Sequence, residues 1–140
     1  SPMRTNQLPG TVMLALAVMA IFSLAAQAFI GSHPINKKNQ QEVEAPFVMS
    51  ISGKDVLSVD ISLAKRNVER LESVRLEAKE DEKTILLVPV AVSKKDDGSA
   101  SVSLRLPKAL VPKSHLILFF SAMDHGGDQY DIELGSYLDN

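Results

Sequence analysis

The chain contains no cysteine. That absence removes disulfides, thiolate-ligated zinc, iron–sulfur clusters, blue-copper sites, thiol catalysis and a lipidated cysteine together. Tryptophan is also absent, and two tyrosines and five phenylalanines are too few for an aromatic platform that stacks bases. Neither sign of charge dominates, with 15 Lys and Arg against 17 Asp and Glu and a formal net charge of -2. Phosphate-binding surfaces show a concentrated basic excess, so no nucleic acid is expected as a partner.

The apolar residues that are present are spread unevenly. Residues 11–30 read TVMLALAVMAIFSLAAQAFI, 20 residues with no charge and one amide, Gln27. Every Lys, Arg, Asp and Glu except Arg4 lies after residue 36. As a helix rising about 1.5 Å per residue the block spans roughly 30 Å, the thickness of a hydrocarbon core. Pro9 and Gly10 stand where a helix would start. The expectation is an N-terminal tail over residues 1–10 and a single transmembrane helix, a signal anchor, over residues 11–30.

A cleaved secretory signal competes with that reading. Arg4 would be its basic region and Ala26-Gln27-Ala28 its A-x-A site, leaving Phe29 first. The block exceeds the usual apolar core of about 7–15 residues, which favours the anchor. Basic residues flank both ends, Arg4 before and Lys37 and Lys38 after, so the positive-inside rule nearly ties. The signal-like character then places the domain on the periplasmic, extracytoplasmic side. Ala17, Ala20, Ser23 and Ala26 recur every three residues, which makes a slanted stripe and reads as a generic Ala-rich span.

Residues 31–46 (GSHPINKKNQQEVEAP) show no apolar period and read as a linker. From Phe47 to residue 140 the pattern turns to period two, the mark of half-buried strands. Phe47, Met49 and Ile51 alternate with Val48, Ser50 and Ser52, and Leu57, Val59, Ile61 and Leu63 alternate with Ser58, Asp60 and Ser62. Val74, Leu76 and Ala78 follow, then Val102, Leu104 and Leu106, then Tyr130, Ile132 and Leu134. Two runs are continuously apolar, ILLVPVAV over 85–92 and LILFF over 116–120. Both suit strands buried on two faces, although Pro89 within the first argues for an edge or a bulge. Asp97-Gly98 is a hairpin signal. About seven short strands joined by polar turns indicate a mainly β fold, an antiparallel immunoglobulin-like sandwich over residues 47–140. Residues 62–79 fit neither period and could hold a helix.

Asp124, His125 and Asp128, on the Gly126-Gly127 loop with Asp131 nearby, form the best chemical cluster and could hold a divalent cation. Their spacing matches no EF-hand or zinc pattern, and turn chemistry explains it. His33, His115 and His125 with Met49 and Met123 would be copper ligands only if the fold gathered them. Ser58, Asp60 and His115 lack a nucleophile elbow around the serine. Residues 77–83 (EAKEDEK) read as a solvated turn. No catalytic residue and no cofactor is assigned, and no enzyme is expected.

The expected function is a non-catalytic accessory or assembly subunit of a larger membrane complex, for example a bioenergetic one. Residues 11–30 would cross the lipid bilayer and pack on helices of other membrane-complex subunits, while the sandwich braces an extramembrane face. The alternative is an exported periplasmic metal- or small-ligand-binding module with a cleaved signal peptide.

Overall fold

The computed structural model describes residues 30–122 and 126–138. Nine strands form two facing sheets, and one short α-helix and two 3₁₀ turns complete the regular structure of the described residues. The strands are β1 (Ile30–Ile35), β2 (Val48–Ser52), β3 (Val56–Leu63), β4 (Leu71–Glu80), β5 (Lys83–Pro89), β6 (Ser93–Lys94), β7 (Ala100–Pro107), β8 (Ser114–Ser121) and β9 (Gly127–Glu133). The helix α1 spans Lys65–Val68. The 3₁₀ turns cover Lys108–Lys113 and Leu134–Tyr137. One sheet runs β1-β9-β8-β4-β5 and the other β2-β3-β7-β6.

Alternation along each strand decides what enters the space between the sheets. Leu57, Val59, Ile61 and Leu63 of β3 are all buried, and Val102 and Leu106 of β7 join them from the same sheet. Val74 and Leu76 of β4, Leu116, Leu118 and Phe120 of β8, and Tyr130 and Ile132 of β9 face them from the other. β8 lies at the centre of its sheet, and even Ile117 on its outer face is buried, as its continuous apolar run requires. The buried Ser114 donates its hydroxyl to the Leu110 carbonyl at 2.5 Å, so its burial leaves no polar group unpaired.

The structure corrects the expected architecture in several places. Among the described residues there are nine strands rather than about seven, and the sandwich is not purely antiparallel, because β1 pairs with β9 in parallel. The single-pass reading is also corrected. Among the described residues no helix is long and apolar enough to cross a membrane. Ile30, the last residue of the expected span, instead opens strand β1. Residues 1–10 and 11–29 lie outside the described residues. The bilayer and membrane-subunit partners, and the single-pass extracytoplasmic placement built on that span, lose their basis with it.

The expected linker is corrected as well, because it is folded into the domain. Its first residues are β1, and Ile35 is only 2% exposed. Beyond β1 the Asn36 side-chain oxygen accepts the backbone N–H groups of Lys38 and Asn39, both at 2.9 Å. These side-chain-to-backbone bonds make the turn that brings Gln40 beside Tyr137. The Tyr137 hydroxyl donates to Gln40 Oε1 at 3.0 Å.

Burial pushes the Tyr137 phenol up to about 12 from its ordinary 10.0. A phenol that is harder to ionise when folded adds stability below its unfolded value. That stability is lost as the unfolded chain releases its proton first. Folding stability is therefore expected to fall between about pH 10 and pH 12. Tyr137→Phe should flatten that fall in denaturant titrations across the window, and an unchanged slope would remove Tyr137 as its cause.

Candidate functional site

The sandwich is open at the end where β9 starts and β8 finishes. Both sheets and α1 contribute to a cleft of about 620 Å³ there. Phe47 comes from just before β2 and Val48 from its start, Ser62 from the end of β3, and Arg66, Asn67 and Arg70 from α1 and the turn after it. Asp128 and Tyr130 of β9 and Glu44 from the segment before β2 also line it.

An aromatic cluster forms the base. Phe47 meets Tyr130 edge-on with ring centroids 5.5 Å apart, and Phe120 meets Tyr130 edge-on at 5.7 Å. His33 stacks on the other side of Tyr130, at 4.6 Å and 16° between planes. Edge-to-face rings hold one another at defined angles, so the base is stiff. Burial raises the Tyr130 phenol above its ordinary value, the Asp128 carboxylate adds to the rise, and Arg70 opposes it.

The parallel register of β1 on β9 sets Gly31 beside Asp128 and His33 beside Tyr130. His33 Nε2 lies 2.9 Å from Asp128 Oδ1. A Cβ at Gly31 would stand 2.5 Å from that same oxygen, so a side chain at residue 31 would push the carboxylate aside. The Arg70 Nε donates to the Ser121 carbonyl at 3.1 Å, and the Ser121 N–H donates to the Arg70 carbonyl at 2.8 Å. These bonds fix the guanidinium, whose Nη2 lies 3.8 Å from Asp128 Oδ2. Arg66 is exposed and makes no hydrogen bond or ion pair among the described residues.

Of the residues singled out in the sequence, Asp128 lies in the cleft wall, and Asp124 and His125 lie outside the described residues. Among the described residues no group of three His, Cys, Asp or Glu could hold a metal ion. Met123 also lies outside the described residues. His33 and His115 stand on opposite faces of their sheet, and Met49 is on the other sheet, so no copper set is gathered from them. His115 Nδ1 lies 2.6 Å from Asp131 Oδ1 on the outer face. Ser58 and Asp60 lie on β3, in the sheet opposite His115, and Asp60 accepts a hydrogen bond from the Ser103 hydroxyl at 2.8 Å.

Comparison with family models, curated proteins and solved structures finds no match.

The site therefore has to be read from its own geometry. Sequence reasoning missed His33 as the partner of Asp128, and it missed Arg66 and Arg70 as a pair. The second was visible in principle, because residues four apart share one face when a segment turns helical. His33 and Asp128 are 95 residues apart, and no local spacing announces such a pair.

Proposed function

We propose that this domain is a non-catalytic binding module whose end cleft takes a small organic anion with a flat apolar body. One observation carries the reading: Arg66 and Arg70 line the same cleft as the aromatic rings of Phe47 and Tyr130, with Glu44 and Asp128 as its two carboxylates. Guanidinium groups present planar donor forks that match carboxylate and phosphate oxygens. Asp128 already has His33 and Arg70 beside it, which leaves Arg66 with its donors free for a ligand. The cleft volume of about 620 Å³ lies within the range ordinary for small-molecule sites. The expected accessory role in a membrane complex is replaced by this one, since no membrane-crossing helix exists among the described residues. The metal branch of the alternative has no ligand set there either.

The test is a titration of the isotopically labelled protein with benzoate and phenyl phosphate, followed by amide NMR shifts. Saturable shifts are expected at Phe47, Arg66, Asn67 and Arg70. Arg66→Gln should weaken binding by roughly tenfold or more, the worth of one charge-assisted hydrogen bond. Arg66 anchors nothing else among the described residues, so the fold should survive the change. Shifts that never localise to these residues, or equal affinity in Arg66→Gln, would sink the assignment.

A further inference from the structure

Strand β5 ends the five-stranded sheet and carries an apolar, exposed middle. It pairs with β4 on one side only, so its other side is a free main-chain edge. Ile85, Leu87 and Val88 are 55%, 60% and 41% exposed. Natural edges of this kind are blunted by charge, proline or bulges. Here Lys83 and Pro89 stand only at the two ends, and a register slip lies opposite Ile85. Between the ends, residues 84–88 are uncharged and mostly apolar.

The charges around this edge select its occupant. The turn leading into β5 carries Asp81 and Glu82, both exposed and without an ion pair among the described residues. Their neighbour Glu80 is held by Lys113 at 2.6 Å. Past the other end of β5, Lys94 shares a surface recess with Pro89, Val90 and Val92. Lys94 is likewise exposed and has no ion pair among the described residues. The turn before β5 is thus net acidic beside Lys83, the strand is apolar along its middle, and Lys94, on β6 of the other sheet, lies beyond its end.

We propose that β5 docks antiparallel on β5 of a second copy of this chain, about a two-fold axis. The pairing joins two five-stranded sheets edge to edge and covers Ile85, Leu87 and Val88 of both copies. Antiparallel alignment lays the start of one β5 beside the end of the other. It therefore brings each Asp81-Glu82 turn towards the other copy's Lys94, twice over by symmetry. Parallel alignment would set acid on acid and base on base, which is repulsive. A two-fold contact must be self-complementary, and this edge carries both halves of the match. The proposal stands on different residues from the end cleft and does not depend on it.

Sedimentation velocity of the whole chain over a concentration series, at low and high salt, tests the pairing. A reversible monomer–dimer equilibrium that weakens with salt is expected. The double variant Ile85→Lys, Leu87→Lys should remain monomeric while keeping its circular dichroism and thermal transition, because both side chains already face solvent. Lys94→Glu should loosen the dimer roughly tenfold, the effect of two surface ion pairs, and adding Glu82→Lys should restore it. A wild-type chain that stays monomeric throughout overturns the proposal. So does association that persists in the double-lysine variant, or a Glu82→Lys change that fails to rescue Lys94→Glu.

Discussion

Replacing Phe120 with alanine is expected to cost about 3–5 kcal/mol of folding stability. The side chain is completely buried and lies where both sheets and the cleft base meet. Its ring is 6.2 Å from that of Phe47 and 5.7 Å from that of Tyr130. Truncation removes the transfer free energy of a large apolar group and leaves a hole that the rigid flanking strands cannot close. A loss of that size is a large fraction of what a small domain possesses, on the order of 5–15 kcal/mol. Urea unfolding should show the midpoint falling sharply with its slope unchanged. A loss below about 1 kcal/mol would mean that the aromatic cluster is not the packed centre described here.

Gly127→Ala is expected to destabilise by about 2–3 kcal/mol, although the same change at an unstrained site stabilises slightly. Gly127 opens β9 between Ser121 of β8 and Ile30 of β1. A Cβ there would overlap the Phe120 carbonyl oxygen and sit 3.1 Å from the Phe119 ring. Backbone cannot swing aside as a flexible side chain can, so the strands would have to part at their first rung. Asp128 and Tyr130 follow directly on β9, and the cleft wall should loosen with it. The sign of the stability change decides the matter, since a stabilised Gly127→Ala protein would contradict so close an approach.

How far the sequence foretells this molecule depends on how each element earns its burial. The strands that bury one face advertise it: Leu57, Val59, Ile61 and Leu63 alternate in the sequence and are all buried in the fold. The run at 85–92 misleads, because Ile85 and Leu87 are as apolar as core residues yet stand at an edge; Pro89 was the only hint. β1 escaped notice because IGSHPI contains glycine, proline and histidine, and only Ile35 of it is buried. A parallel edge strand held mainly by backbone bonds to a distant partner needs no apolar period. β6 has only two residues, too short for any period. The cleft was half visible: Asp128 stood out among turn residues, but its companions arrive through strand register and through a helix of four residues.

The parallel seam between β1 and β9 also has a meaning in time. Contacts 95 residues apart in sequence form only after the chain through β9 has been made and the entropy of the intervening loop overcome. Until β9 emerges from the ribosome, β1 has no strand to lie against, and the cleft has neither its Asp128 nor its Tyr130 wall. The two hairpins β2–β3 and β4–β5, by contrast, pair locally and can form early. The β4–β5 hairpin therefore needs only local contacts to present the β5 edge, whereas the cleft waits for β9.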